Sequence, residues 1–382
     1  MSDANRESVG YIAEVTFGTN PGGTKQLVNF TSCNLNQTNE TKDSNFVRSD
    51  TNRAGTIRTG LNSGGSLGIE LQYGAYDAFL EAVLRSTFGS ALGITGVTTI
   101  SAAAADNSFN DSGSGFGPVT AGQWIKVSGF ATAANNGYFY VVSKTTSKLV
   151  VAGGTLVNES ATPAITIKGA YMKNGTTKKS FTLERAWEDI TKYQVFSGCR
   201  VGEVSLNFNT ADIASGSINF VGAKQAAASG SSGFSGSTAS ATTKSMNTVN
   251  NIKKIFIDKV VSTSDFTSLD FTISTNSEAL KRIGSLEASQ IRQGSIAVSG
   301  NFGLYFEDTT LLAKGESFTE VDLTIVTEDD DGNAYVWHFP QTFISGTVDN
   351  QGIDTTITAA FQFSCVVDPT LVHTISITKM AA

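Results

Sequence analysis

Residues 57–84 read IRTGLNSGGSLGIELQYGAYDAFLEAVL, and the hydrophobic period changes within this stretch. From Leu67 to Tyr73 every second residue is apolar, which is the pattern of a strand with one buried face. After Gly74 the apolar residues recur at the spacing of one helical face, and Gly89 follows the last of them. The stretch therefore predicts a strand that runs directly into a short amphipathic helix.

The predicted helix presents one apolar face. Asp77 lies in its first turn, where a carboxylate is favoured. The apolar face consists of Tyr76, Phe79, Leu80, Val83 and Leu84. We expect these five side chains to pack a short helix that flanks a β-sheet.

A weaker copy of the same pattern occurs late in the chain. Residues 291–294 repeat the Ile-Arg-x-Gly of residues 57–60, residues 296–306 alternate as residues 67–73 do, and Leu311-Leu312 predicts a second, shorter helix. Two further matches follow in the same order, Ser317-Phe318-Thr319 with Ser180-Phe181-Thr182 and Phe343-Ile344-Ser345-Gly346 with Phe196-Ser197-Gly198. Matches in a common order predict an internal duplication, although each is short enough to arise by chance.

The composition favours an all-β protein. The 382 residues are 40% apolar and include 24 Phe and 38 Gly but only 5 Pro, and Thr, Ser, Val and Ile fill the segments between them. This length suits two or three domains with real cores. The net charge of −7 and the pI near 5.0 argue against a protein that grips nucleic acid through its phosphates.

Composition changes divide the chain into four segments. We expect residues 1–92 and 169–225 to form a first domain and residues 251–382 to form a second, in which Ala279–Ile283 predicts a helical turn. Residues 93–168 predict an inserted small β-module, with a tight hairpin turn at Asn136-Gly137. Residues 226–250 are rich in Ala, Ser and Gly and predict a flexible linker or a mobile loop.

A polar segment precedes the opening stretch. Residues 36–56 contain few apolar side chains, and a loop of about twenty residues within a compact domain is either functional or a sign of a misassigned strand. Both charge signs and several hydrogen-bond donors suit contact with another protein, whereas the alternative is a solvated surface loop. The candidate contact residues are Arg48, Asp50, Asn52, Arg53 and Arg58.

No residue pattern predicts a catalytic, cofactor or metal site. His338 lies in a strand-like run and is expected to point outward, while His373 has no nucleophile or ligand near it in sequence. The acidic run at residues 328–331 predicts a hairpin tip rather than a cation site. Cys33, Cys199 and Cys365 are widely spaced, so we expect buried, unpaired thiols in a reducing compartment.

Neither a signal peptide nor a membrane-spanning run is visible, so we expect a soluble protein made in a cytoplasm.

The residues from Arg48 to Asp77 resemble a known family. Arg48-Ser49-Asp50, Ile57-Arg58-Thr59-Gly60 and residues 68–77, followed by the predicted helix, are similar to tail tube proteins of long non-contractile-tailed, siphovirus-type bacteriophages. The resemblance is best in residues 1–90 and extends to residues 178–225 and 251–382. It implies a tail-tube β-sandwich or barrel with a short flanking α-helix, here duplicated in one chain, and an outward accessory β-module.

The resemblance also implies a function. Such proteins form rings of six folds around a channel, the rings stack into a tube, and the long loop, here residues 36–56, reaches the neighbouring ring. An acidic lumen would let double-stranded DNA slide during ejection without specific binding. The implied partners are other copies of the chain, a tape measure protein, and tail tip or terminator proteins, in a virion assembled in the host bacterial cytoplasm.

The ring's stoichiometry depends on the duplication. If each chain supplies two folds, three chains form a pseudo-hexamer; otherwise six chains are needed. The Thr and Ser content also allows a secreted or surface adhesin or a carbohydrate-binding protein, against which the absent signal sequence weighs. An enzyme is the third alternative, and no acid, base and nucleophile constellation supports it.

Overall fold

A computed structural model describes residues 3–161, 164–349 and 352–382. The chain is mainly β-strand, as predicted, and its two α-helices in the described residues have seven residues each. The second helix is therefore not shorter than the first, contrary to expectation.

We call residues 3–92 and 169–225 the first half. Before the inserted module it contains β1 (Glu7–Ala13), β2 (Thr24–Val28), β3 (Ser32–Cys33), β4 (Asn36–Asp43), β5 (Thr56–Glu70) and α1 (Asp77–Val83). The inserted module contains β6 (Ile94–Val97), β7 (Ile100–Ala103), β8 (Ser108–Asp111), β9 (Trp124–Ser128), β10 (Gly137–Lys144), β11 (Lys148–Ala152) and β12 (Ile165–Lys168). After the module come β13 (Ala170–Lys173), β14 (Phe181–Trp187), β15 (Lys192–Asn209), β16 (Ser215–Gly222) and β17 (Lys224–Gln225).

Residues 226–250 contain one short strand, β18 (Gly236–Thr238). We call residues 251–382 the second half. Its elements are β19 (Ile252–Ile257), β20 (Val260–Val261), β21 (Phe266–Ser274), β22 (Ser277–Lys281), β23 (Ala288–Gln293), β24 (Ala297–Tyr305), α2 (Thr310–Glu316), β25 (Val321–Glu328), β26 (Ala334–Asp349), β27 (Thr358–Cys365) and β28 (Ser376–Met380).

The two halves follow the same order of strand pairing. In the first half β14 pairs with β1 and β15, and β16 pairs with β15 and β5. In the second half β25 pairs with β19 and β26, and β27 pairs with β26 and β24. In each half the long strand, β15 or β26, passes from one ladder into the next, so one strand joins the two layers around the core.

Matched bulges fix the correspondence between the halves. The β14–β15 ladder shifts between Phe181 and Leu183, and the β25–β26 ladder shifts between Val321 and Leu323. Counting along the ladders from these bulges, Gly68 corresponds to Gly303. Each of these glycines lies against a Thr-Ser pair, at 31–32 or at 267–268, where an added Cβ would come within 3 Å of both hydroxyl oxygens.

This register differs from the short sequence matches. It aligns Phe181 with Val321, whereas the sequence match aligned Phe181 with Phe318. It aligns Ile57 with Arg292, one residue away from the match with Ile291. The local matches were therefore placed wrongly, because three or four residues carry too little pattern to fix a strand register.

The apolar face of α1 fills the first half's core. Phe79 lies 4.6 Å from Tyr11 and 5.2 Å from both Phe181 and Phe220 between ring centroids, so it joins β1, β14 and β16. All five side chains predicted for this face are buried, namely Tyr76, Phe79, Leu80, Val83 and Leu84. Within α2 only Leu311 is buried.

The inserted module forms a separate seven-stranded sheet in the order β6-β12-β9-β10-β11-β8-β7, with its own core. The module docks on the second half, where Trp124 packs against Phe256 at 4.5 Å between ring centroids. Lys126 donates to Glu328 over 2.8 Å at this contact. Burial raises the pKa of Glu328, but the hydrogen bonds from Lys126 and Tyr138 outweigh it and hold the pKa below its usual value.

Several local expectations were wrong. Residues 36–43 form a strand paired with β5, so the predicted loop shrinks to residues 44–55; polar side chains suit this hairpin because it projects into solvent. Residues 277–281 are a strand paired with β23 rather than a helical turn. Eight residues separate β9 from β10, so Asn136-Gly137 is not a two-residue turn.

Segment 226–250 lies against the first half and is not a free linker. β18 pairs in parallel with β2, and Phe234 and Met246 are buried. The buried Glu184 accepts hydrogen bonds from Ser232 and from the Gly233 amide, as well as from Lys25. Small residues allow this close backbone approach, which composition alone does not reveal.

His338 was expected to point outward, but only 1% of its surface is exposed. Its Nε2 lies 3.0 Å from Asp322 Oδ2, and Lys259 lies 2.9 Å from the same oxygen. Strand alternation gave the wrong answer because the inserted module covers this face of β26, with Tyr140 5.4 Å from the His338 ring. The acidic run behaves as predicted, since residues 329–333 form the turn between β25 and β26.

The three cysteines are free thiols. Cys199 is buried, whereas Cys33 and Cys365 are half-buried. Burial raises the pKa of Cys33 to about 11 and that of Cys365 to about 12.

Candidate assembly surfaces

The two halves join through one continuous ladder. Residues 203–209 of β15 pair antiparallel with residues 268–274 of β21, so the first half's sheet continues into the second half's sheet. Hydrophobic side chains such as Leu206 and Phe271 are buried beneath this join. We call the β15–β21 ladder the internal seam.

Three polar side chains flank the internal seam. Arg85 follows α1 in a left-handed conformation, with φ of 52°, and its guanidinium donates to the carbonyl of Gly294. Arg200 donates to the carbonyl of Ile291 over 2.5 Å. In return, Gln293 donates from the second half to the carbonyl of Val201 over 3.1 Å. Sequence analysis missed Arg85 and Arg200, which belong to no recognisable motif, and it included Gln293 only as the variable position of the repeated Ile-Arg-x-Gly.

In the described residues, the two strand edges that correspond to the internal seam are open. The ladder register makes Leu206 the counterpart of Val348 on β26, and Thr272 the counterpart of Asn36 on β4. Leu206 is buried by β21, whereas Val348 is 39% exposed. Among the described residues, residues 345–348 and residues 36–38 each have a paired strand on one side only.

An exposed aromatic pair lies beside the open edge of β26. Phe318 follows α2 with φ of 53°, so it takes the position that Arg85 takes after α1. Its ring stacks on Phe343 at 4.3 Å between centroids and a 13° interplanar angle, and Phe318 is 70% exposed. Phe343 corresponds in turn to Arg200 by ladder register.

The large sheet has one polar face, which is the face opposite the core. One row of paired residues across the strands consists of Gly68, Ser217, Ser205, Thr272, Ser299 and Ser364, and it continues on β26 at Phe343. The next row consists of Glu70, Ser215, Asn207, Asp270, Asn301, Gln362 and Ser345. These fourteen described residues include two carboxylates and neither lysine nor arginine, so apart from Phe343 the rows present small, uncharged or acidic side chains.

Two hairpin arms extend beyond this sheet. The first arm is β4 with residues 56–63 of β5, and the second arm is β22 with β23. The arms lie side by side, since Leu61 donates its amide to Leu286 over 2.9 Å and Lys281 Nζ lies 2.6 Å from Glu40. The first arm continues past this contact, and its tip exposes Phe46 by 81% and Val47 by 99%.

The predicted contact residues lie on the first arm. Arg48 pairs with Asp50 and lowers the pKa of that carboxyl to about 2, and Arg53 pairs with Asp43 at 2.5 Å. Asn52 donates its amide to Asp50 over 3.3 Å. Arg58 lies in β5 opposite Thr41, nearer the sheet than the other four. The structure thus groups four of them at the tip and places Arg58 within the strand that leads from the tip to the sheet.

The chemistry elsewhere is sparse in the described residues. No group of three or more His, Cys, Asp and Glu side chains is arranged to hold a metal ion in residues 3–161, 164–349 and 352–382. A cavity of about 280 Å³ lies at the start of β21, and its walls include Ile255, Phe266 and Leu269. None of the residues lining that cavity is titratable. No described helix is long and apolar enough to cross a membrane.

A family model described as phage tail tube protein matches residues 4–365. The chain belongs to the phage tail tube protein family. A search of curated proteins found no match. Membership of this tail tube family agrees with the resemblance found in the sequence and makes the chain a structural component of a phage virion tail.

For a tail tube protein, the relevant sites are surfaces rather than pockets. Family membership implies assembly with copies of the same chain and with other tail components. In this tail tube chain the internal seam, the two open edges, the polar face and the arms are the surfaces that such assembly can use.

Proposed function

We propose that three chains close into a ring of six tube units, that the rings stack into the tail tube, and that double-stranded DNA passes through its acidic channel. The internal seam carries this proposal. The seam joins the sheets of two units that have the same order of strand pairing. Each chain also has one open edge equivalent to that of β15, on β26, and one equivalent to that of β21, on β4. Repeating the join between chains places Thr347 beside Asn36 of the next chain.

The proposed ring uses strand edges that would otherwise be a liability. Unpaired edges template further pairing, and a closed ring leaves none of these edges exposed. Because each chain contributes one internal seam and one external seam, three chains suffice for six units. We refer to the join between chains as the external seam.

The polar sheet face is our candidate for the channel wall. Its Ser, Thr, Asn and Gln side chains are short, and Glu70 and Asp270 add negative charge without a compensating cation in the two rows described. Such a wall repels phosphates and gives them no basic anchor, so DNA moves without specific binding. A wall of this kind has no need for base contacts.

The first arm is our candidate for contact between rings. It continues the direction of β5, and the seven residues 56–62 beyond the β16 ladder extend about 23 Å at roughly 3.3 Å per residue. The apolar cavity lies at the opposite end of β21 from the arms. An arm tip that exposes Phe46 would therefore meet this end of a unit in the next ring.

Two measurements test the proposal. Native mass spectrometry of soluble rings, and the rotational symmetry of rings in electron micrographs, should give three chains per ring. A ring of six chains would overturn the stoichiometry.

Deletion of residues 44–54 should leave rings intact but abolish their stacking into tubes, as judged by electron microscopy. Deletion of residues 283–284 in the second arm's turn is the matched control, because that arm stops short of the first and the deletion keeps Leu286, which accepts from Leu61. Tubes of normal length from the residue 44–54 deletion would remove the arm from the axial contact.

Membership of the tail tube family supports a proposal for the remaining partners. We propose that the tube encloses a tape measure protein and contacts tail tip or terminator proteins, and that it assembles in the host bacterial cytoplasm. The inserted module docks on the second half through Trp124 and would project from the outer wall.

A further inference from the structure

We propose that the stacked pair Phe318–Phe343 is the docking surface for the first arm of a second copy, with Arg58 of that copy lying over the two rings. This inference rests on the proposed ring and assigns side chains to its external seam. Phe318 and Phe343 occupy the positions that Arg85 and Arg200 occupy at the internal seam.

The internal seam shows what occupies the space next to these two positions. Arg85 reaches the carbonyls of Thr275 and Gly294, and Arg200 reaches the carbonyl of Ile291, all at the base of the second arm. The ladder register places Asn39, Thr59 and Thr56 of the first arm at the equivalent positions. In a ring, Phe318 and Phe343 of one chain therefore face the first arm of the next chain.

The arginines lie on opposite sides of the two seams, on the helix side at the internal seam and on the arm side at the external seam. At the internal seam the helix side carries two arginines and the arm carries the neutral Gln293, which donates to Val201. At the external seam the helix side carries two aromatic rings, and Arg58 stands where Gln293 stands. An arginine over an aromatic face gains a cation–π attraction, which is strongest where the interface excludes water.

The exposure of the Phe318–Phe343 pair supports a docking surface that the isolated chain leaves uncovered. Phe318 is 70% exposed although it is stacked on a neighbour, and an isolated chain leaves the pair only partly covered. Phe343 lies two residues before Ser345, where the open edge of β26 begins, so the aromatic pair and the open edge form one continuous surface. Aromatic side chains and arginine are the residues that dominate binding at protein interfaces.

The test measures ring assembly of the full chain. Phe318→Ala, Phe343→Ala and Arg58→Ala should each raise the protein concentration needed for half-maximal ring formation by about tenfold, as measured by analytical ultracentrifugation. Val157→Ala is the control, because it removes an exposed apolar side chain from the inserted module, outside both seams and both arms, and should leave ring formation unchanged. Monomer unfolding curves should coincide for all four variants and the wild type.

A charge exchange tests the equivalence of the two seams. Phe318→Arg with Phe343→Arg should weaken ring formation, because Arg58 then faces two arginines. Adding Arg58→Gln to that pair reproduces the composition of the internal seam and should restore assembly. The backbone allows Phe318→Arg, since Arg85 already adopts the same left-handed conformation.

Failure of this inference differs from failure of the proposed ring. Wild-type-like assembly of the three alanine variants, or a triple variant no better than the double arginine variant, would overturn the docking role of the aromatic pair. A wild-type chain that stays monomeric at every concentration would instead overturn the ring itself.

Discussion

The two halves share one pattern of strand pairing but differ where each meets its neighbour. At its contact with the second half, the first half presents Arg85 and Arg200, which donate to backbone carbonyls of the same chain. At the equivalent positions the second half presents Phe318 and Phe343, which lie at the surface. Covalent linkage supplies a high effective concentration to the internal seam, whereas a seam between chains has to be stabilised by its own contacts. In the proposed ring, this difference accounts for the aromatic rings at the external seam and the hydrogen-bonding guanidiniums at the internal seam.

The two helices differ in the same sense. Asp77 of α1 accepts hydrogen bonds from Tyr335 and Lys379 of the second half, so α1 lies between the halves. Within the described residues no third unit lies against the corresponding side of α2, and only Leu311 of α2 is buried. The exposed side of α2 is therefore the surface that a second copy would cover if it made the contact that the second half makes with α1.

The largest expected effect separates the two helices. Phe79→Ala should lower the free energy of unfolding by about 3–5 kcal/mol, because it empties the contact among Tyr11, Phe181 and Phe220. Leu311→Ala in α2 should cost clearly less, since its side chain borders solvent. Denaturant unfolding of the unassembled chain measures both. Equal losses would mean that the two helices are equally integrated in their cores.

The second expected effect concerns acid. His373 is buried, which lowers its pKa to about 4 despite its hydrogen bond to the Leu371 carbonyl and the nearby Asp368; His338 and Lys173 lower it further. Because the unfolded chain binds a proton on this residue below about pH 6.5 and the folded chain does not, stability falls as the pH drops from about 6.5 to about 4. The loss attributable to His373 is about 3 kcal/mol.

His373→Asn should flatten the pH dependence of the unfolding free energy in that window. In the wild type, hydrogen exchange should show β26 and β28 less protected at pH 4.5 than at pH 7. Protection of β1 and β14 in the first half should change less. An unaltered pH slope in the variant would show that other groups set the acid sensitivity.

The smallest expected effect tests the correspondence of the halves residue by residue. An added Cβ at Gly68 would lie 2.5 Å from Ser32 Oγ, and one at Gly303 would lie 2.9 Å from Ser268 Oγ. The serine hydroxyl can rotate away from the added methyl group, so the steric cost is small. Alanine also lowers the conformational entropy of the unfolded chain, which favours folding. Each Gly→Ala change should therefore alter the free energy of unfolding by less than about 1 kcal/mol.

Gly68→Ala should be slightly the worse of the two. Removing the hydroxyl with Ser32→Ala or Ser268→Ala should relieve each change to a similar degree in thermal unfolding. Relief at only one of the two positions would break the correspondence.

The polar segment 36–56 illustrates the limit of prediction from sequence. Its composition marked it as exposed, and Arg48 to Arg53 do lie at an exposed tip. The pattern could not show that residues 36–43 form a strand, because a two-stranded arm in solvent carries no apolar alternation. The sequence also could not show that the second arm supports the first through Lys281 and Glu40.

His338 and the aromatic pair show a second limit. Alternation assigns two faces to a strand but not what covers each face, so the inserted module's coverage of His338 was invisible. Phe318 fell within an apparent repeat of Ser-Phe-Thr, yet it follows a helix at the surface while Phe181 lies in the core. Identical tripeptides therefore had unrelated environments.

By itself, the sequence determined the β class, the strand that leads into α1, the five buried side chains of that helix and the resemblance to phage tail tube proteins. Period, glycine placement and side-chain size are local properties, and they suffice for these conclusions. Only the tertiary structure decided the strand register, the internal seam, the open edges and the position of Phe318 against Phe343. These depend on contacts between residues that are well separated in sequence, such as Phe318 with Phe343 and Arg85 with Gly294, which no local pattern encodes.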